Sequence, residues 1–131
     1  ALQDGEALDL GGRRVRHIDT AHVPHGWESR LLFEETTRTL FCGDLFTHTG
    51  NGPAVTHGDI VGPARAAEEI FHASCLTPTT GAVIRKLSEF APTTLAVMHG
   101  SSFNGDVRRA LHDLADFYDG LHRAAAGGER A

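Results

Sequence analysis

Three residues able to ligate a metal recur in one local setting. His22, Asp44 and His99 each follow a short apolar run that reads as a β-strand. Thr20-Ala21-His22-Val23-Pro24 comes after Arg13–Asp19, Gly43-Asp44 closes Thr39–Cys42, and His99-Gly100 closes Thr94–Met98. Strand ends that meet at one edge of a sheet gather residues distant in sequence into one place. Imidazole nitrogen and carboxylate oxygen suit Zn²⁺ or Fe, and a carboxylate has the oxygens to serve two ions. Singly, an Asp after Gly also serves a turn, and a His before Gly merely a loop. Their shared setting makes His22, Asp44 and His99 the expected metal ligands, with Asp44 also the expected catalytic group.

Other side chains fall near these three. His25 comes three residues after His22, His48 and His57 flank the loop that follows Asp44, and Trp27 adjoins the His22 loop. All four are expected to face a substrate or to touch a ligand rather than the metal, with plain packing or a turn role as the alternative for each. His72, His112 and His122 fall in helical text and read as solvated or packed faces. His17 and Asp19 share a strand face, but nothing beside them supplies a full ligand set. There is no G-x-S-x-G nucleophile elbow, Walker loop or G-x-G-x-x-G.

The elements that must position these residues are legible in the pattern. Glu6–Leu10 and Arg13–Asp19 alternate as strands joined at Gly11-Gly12. Leu31–Phe33 and Thr39–Cys42 form a second strand pair. Phe46 to Asp59 carries no periodicity, and loops of that length in a compact domain tend to be functional. Helical spacing then places Val61, Ala64, Ala67 (or Glu68), Phe71 and Ser74 on one face, with Pro63 in the first turn. A second helix from Thr79 or Thr80 to about Glu89 presents Val83, Ile84, Leu87 and Phe90. Thr94–Met98 reads as a strand buried on both faces. A closing helix from Gly105-Asp106 carries Val107, Ala110, Leu111, Leu114, Phe117, Tyr118 and Leu121 at 3.6-residue spacing. Residues 124–131 read as a flexible tail. Strands followed by helices, one more strand and a last helix make an α/β chain with a mixed, largely antiparallel sheet and covering helices.

Composition sets the outer bounds. The 131 residues hold 12 Lys and Arg against 17 Asp and Glu, for a net charge of −5. One domain, 1–131, fits that length, and the acidic balance gives no footprint for nucleic acid or anionic membrane. No apolar run reaches membrane-spanning length, and no signal-peptide pattern opens the chain. Cys42 and Cys75 lie far apart in apolar text, make no disulfide framework, and point to buried packing in a reducing, cytoplasmic setting. The first residue is Ala rather than Met, which suggests a start inside a longer protein.

Thr20–Pro24, Phe41–Phe46 and Val97–Gly100, in that order, resemble the third, fourth and fifth metal-binding motifs of the metallo-β-lactamase superfamily. Within it the flavodiiron-like branch is most similar, through His22-Val23-Pro24-His25-Gly26-Trp27-Glu28-Ser29 and Met98-His99-Gly100-Ser101-Ser102-Phe103. The resemblance implies the C-terminal half of an αββα sandwich holding two divalent ions, Zn or Fe, in the full-length protein. His22 would bind one ion, His99 the other, and Asp44 would bridge them. The superfamily's first two motifs, H-x-H-x-D-H or the di-iron form H-x-E-x-D, are absent from these 131 residues, as is a flavin domain. The expected activity is hydrolysis of a small-molecule substrate by a metal-bound hydroxide. The alternatives are a di-iron protein that binds or reduces O₂ or NO, and an incomplete fragment serving as a structural or dimerising module. A homodimer, or a missing N-terminal half, would then cover the open sheet face.

Overall fold

A computed structural model describes residues 2–127. Seven strands form one sheet: β1 (Ala7–Asp9), β2 (Arg14–Asp19), β3 (Arg30–Glu34), β4 (Thr39–Phe41), β5 (Val55–Thr56), β6 (Thr94–Ala96) and β7 (Ser102–Asn104), in the spatial order β1-β2-β3-β4-β6-β7-β5. Helices α1 (Val61–Phe71) and α2 (Thr80–Lys86) precede β6, a 3₁₀ turn follows α2, and α3 (Val107–Ala126) closes the fold.

The first four strands form an antiparallel meander, with Val15 opposite Glu34 and Leu32 opposite Phe41. The connection from β4 to β6 runs through both early helices, and long crossovers of this kind join parallel neighbours. β4 and β6 accordingly pair in parallel, Thr39 with Thr94 and Phe41 with Ala96. Since β2 is antiparallel to β3, and β3 to β4, strands β2, β4 and β6 all point the same way and end at one edge.

Pleating then divides the side chains between two faces. Ile18, Leu31, Phe33, Leu40, Leu95 and Phe103 point into a core shared with Ala64, Ile84, Leu111 and Leu114 from the three helices. Leu40, Leu95, Leu111 and Leu114 are fully buried. On the other face Leu32 and Phe41, cross-strand partners, remain 41% and 47% exposed. Helices cover one side of the sheet and leave an apolar pair open on the other.

The hairpins, both early helices and the closing helix fall where the sequence placed them. Several details differ. Thr94–Met98 is a strand only as far as Ala96, and Met98 turns outward at 65% exposure. The expected loop from Phe46 to Asp59 contains β5, too short at two residues to show a period, and β7 is likewise a three-residue strand that pairs antiparallel with β6. On α1 the buried residues are Ala64, Ala67 and Glu68, whereas Phe71 is exposed. Glu68 is tolerated inside because its carboxylate accepts the backbone N–H groups of Ala73 and Ser74, the orphan donors beyond the helix end. α3 continues through residues 124–126 of the expected tail, and residues 128–131 lie outside the described chain. Cys42 is buried, which pushes its thiol well above the ordinary range, while Cys75 is half-buried. Among the described residues no helix is long and apolar enough to cross a membrane.

Candidate functional site

Parallel pairing of β4 and β6 creates the site. Phe41 and Ala96 lie side by side in register. Asp44 follows Phe41 by three residues and His99 follows Ala96 by three, so the two loops leave the sheet together and their tips meet. His99 Nε2 lies 3.1 Å from Asp44 Oδ1. The loop after β2 reaches the same place from the third co-directed strand, and there His25 Nε2 lies 2.8 Å from Asp44 Oδ2. Each oxygen of one carboxylate therefore faces a histidine nitrogen carried by a different loop.

His25 is held from behind through its ring, and His99 only through its backbone. His25 Nδ1 lies 3.0 Å from the carbonyl oxygen of Ala73, just past α1, and Trp27 stacks on the ring with centroids 4.4 Å apart. Trp27 thus packs on an imidazole and stays exposed rather than entering the core. Asp44 is fixed through its backbone: its carbonyl accepts the Thr47 hydroxyl at 2.5 Å. The carbonyl of His99 accepts the backbone N–H of His48 at 2.9 Å.

The remaining expected residues fall as follows. His22 stands at the exposed corner of the β2–β3 loop in the left-handed region, with φ of 63°, and its backbone N–H donates to Trp27. It is His25, not His22, that the structure hydrogen-bonds to Asp44. His48 lies against the His99 loop. His57 sits away from this group, its Nδ1 3.0 Å from the carbonyl of Asn104 on β7.

Beside Asp44, His25 and His99 opens a cavity of about 250 Å³ walled by Pro24, Ala64, Ala67 and Ala73. Glu68, Ser74 and Tyr118 form its polar end, and the Ser74 hydroxyl donates to the Tyr118 oxygen at 3.2 Å. Burial pushes the Tyr118 phenol up, so it stays a neutral hydroxyl near neutrality. The sequence offered one signal for this end of the cavity, a carboxylate at position 68 on an otherwise apolar helix face. Ser74 and Tyr118 sat on apolar faces and gave none.

Two imidazoles and a carboxylate match iron or zinc in donor chemistry. They do not match in arrangement: among the described residues no group of three or more His, Cys, Asp or Glu stands so as to hold a metal ion, and His25 and His99 instead pair with the oxygens of Asp44. The described residues therefore make a carboxylate with two histidine partners, not a metal site complete in itself.

No family model and no curated protein matches the chain in sequence. Solved structures do match in fold. The flavodiiron protein from Giardia intestinalis superposes with a TM-score of 0.64 at 17% identity, covering 90% of this chain and 30% of that one. The rubredoxin oxygen:oxidoreductase from Desulfovibrio gigas gives 0.67 at 19%, covering 94% and 31%. The chemotaxis sensor ODP from T. denticola, in its apo state, gives 0.68 at 18%, covering 89% and 48%. The chain spans from under a third to about half the length of these proteins. Its fold is that of part of a flavodiiron core, a metallo-β-lactamase-like domain, as the three motifs implied.

Proposed function

We propose that this chain supplies one side of a dinuclear iron site that handles a small oxidant of the O₂ class, with Asp44 the carboxylate shared between ions. His99 and His22 would serve one ion each, and other residues of the natural protein would complete the set. The observation that carries the reading is the Asp44 carboxylate, whose two oxygens face histidine nitrogens from two other loops. A carboxylate whose two oxygens each face a donor from another loop supports a role shared between two centres. When bound, a metal pair of this kind supplies one-electron chemistry that no protein side chain here provides.

The chain's own residues do the rest. Ala64, Ala67 and Ala73 leave space beside Asp44. The cavity, at about 250 Å³, falls below the roughly 300–1,000 Å³ typical of drug-sized ligands. That favours a small molecule over an extended ester or amide. Likeness of fold to proteins named for di-iron centres and for an oxygen:oxidoreductase supports the same choice. The hydrolase reading uses the same ligands with zinc.

Metal analysis of the natural gene product, purified anaerobically, tests this. Paired iron with a visible spectrum that changes on exposure to O₂ is the expected result. Zinc with no response to O₂ would overturn it in favour of the hydrolase. Absence of any metal would leave only the structural-module reading.

A further inference from the structure

His48 makes three hydrogen bonds, two of them to the turn that carries His99. Its backbone N–H donates to the His99 carbonyl at 2.9 Å. Its ring Nε2 accepts the backbone N–H of Ser101, also at 2.9 Å. Its Nδ1 lies 2.9 Å from the carbonyl oxygen of Phe46. A backbone N–H can only donate, so Nε2 must be bare; the ring hydrogen then sits on Nδ1 and donates to Phe46. The imidazole in a single tautomer thus ties the peptide after Gly100 to the buried Phe46 segment, while the His48 backbone N–H holds the peptide before it.

Gly100 lies between those two anchors with φ of +122°, and a Cβ built on it would overlap the ring atoms of His48. The chain can pass this close to the imidazole only without a side chain. Beyond the turn, restraint comes from elsewhere: Val97 N–H donates to the Ser102 hydroxyl and Ser102 N–H to the Ala54 carbonyl. His48 therefore governs residues 99–101 and little else. The His99 side chain is 58% exposed, so its own packing does little to orient it.

We infer that His48 is a positioning residue for His99, setting the angle at which the His99 ring meets Asp44 by clamping the backbone on either side of Gly100. The inference rests on the reading that the Asp44–His99 pair is the working part of the site. It needs no metal to be tested.

The experiment is imidazole and amide NMR on the ¹⁵N-labelled chain. Long-range ¹H–¹⁵N correlation should find His48 neutral with its hydrogen on Nδ1; a hydrogen on Nε2 would overturn the inference outright. In His48→Ala the Ser101 amide should exchange on the order of tenfold faster or more, and the His99 ring signals should shift and broaden. His48→Gln, whose side-chain carbonyl can accept the Ser101 N–H, should restore both. A His48→Ala protein that is merely less stable, with His99 ring signals unchanged, would refute positioning. Should His48→Ala fail to fold, Gly100→Ala decides: it should displace both the His48 and His99 ring signals, and undisturbed His99 signals would defeat the inference. Loss of the iron assay with these NMR results intact would sink the proposed function alone, and the reverse outcome would sink the clamp alone.

Discussion

His25 Nε2 lies 2.8 Å from Asp44 Oδ2, although the two come from loops after different strands. The contact exists because β2 and β4 run in the same direction and release their loops at the same sheet edge. It puts a second histidine on a carboxylate that already faces His99, and it makes Asp44 the hub of the site.

The first prediction concerns that hub. Asp44→Ala should weaken Co²⁺ or Fe²⁺ binding by the natural protein by about 100-fold or more, since losing even an outer partner of a ligand costs 10–100-fold. His72→Ala, on the exposed end of α1, should leave it unchanged. Equal losses in equilibrium dialysis would remove Asp44 from the role assigned to it. Because imidazole must be deprotonated to ligate, binding by the unmodified protein should also fade below about pH 6.

A second prediction separates the two sheet faces. Leu40→Ala or Leu95→Ala, each opening a cavity in a fully buried layer, should cost about 2–5 kcal/mol in urea unfolding. Leu32→Ala and Phe41→Ala, on the open face, should each stay within about 1 kcal/mol. The Leu32→Ser/Phe41→Ser double variant should also reduce any self-association seen by light scattering. Equal costs on both faces would mean that something covers Leu32 and Phe41 in solution.

Glu34 provides a pH dependence with a definite sign. Its carboxylate accepts from the Thr37 hydroxyl, from the Thr37 N–H at 2.8 Å and from the Thr36 N–H at 3.0 Å. These bonds, the Thr37 hydroxyl above all, hold its carboxyl down at about 2 instead of 4.5. A depressed folded-state value means the stabilisation is complete above about pH 4.5 and is lost as pH falls toward 2. Thermal unfolding should find Glu34→Gln less stable than the parent at neutral pH, with the gap closing across that window. A gap constant with pH would refute the assignment.

Gly81 is a packing prediction. It is buried at the α2–α3 contact, where a Cβ would overlap the carboxylate of Asp119. That carboxylate cannot simply swing aside, because Arg85 holds it at 2.8 Å. Despite the better helix propensity of alanine, Gly81→Ala should destabilise by about 1–3 kcal/mol. The same change in an Asp119→Ala background should cost little. Additive effects in that double-mutant cycle would show the two positions uncoupled.

How much of this was legible in the sequence depends on the range of the interaction. Val107 through Leu121 announces α3 by spacing alone, and Gly11-Gly12 announces the first hairpin, because both patterns are local. β5 and β7 hold two and three residues, fewer than a period needs, and only their partners make them strands. Glu68 could be seen as a misfit on an apolar face, but its reason for being there lies in the Ala73 and Ser74 amides beyond the helix end.

The candidate site divides in the same way. Residue type and position after a strand marked His22, Asp44 and His99 from sequence, since strand-end loops collect functional groups whatever the register. Which histidine meets Asp44, and what orients His99, depend on three loops converging in space. His25 rather than His22 reaches the carboxylate because the loop after β2 turns at His22 and brings the later residue back over α1. His48 could be read as a loop histidine and nothing more; that it grips the peptides on both sides of Gly100 follows from β4 and β6 lying parallel and in register. Sequence determined the donor chemistry and the type of each element, which are local properties. Tertiary structure decided the pairings, because a distance between loops is set by strand register and crossover, and neither is encoded within any single loop.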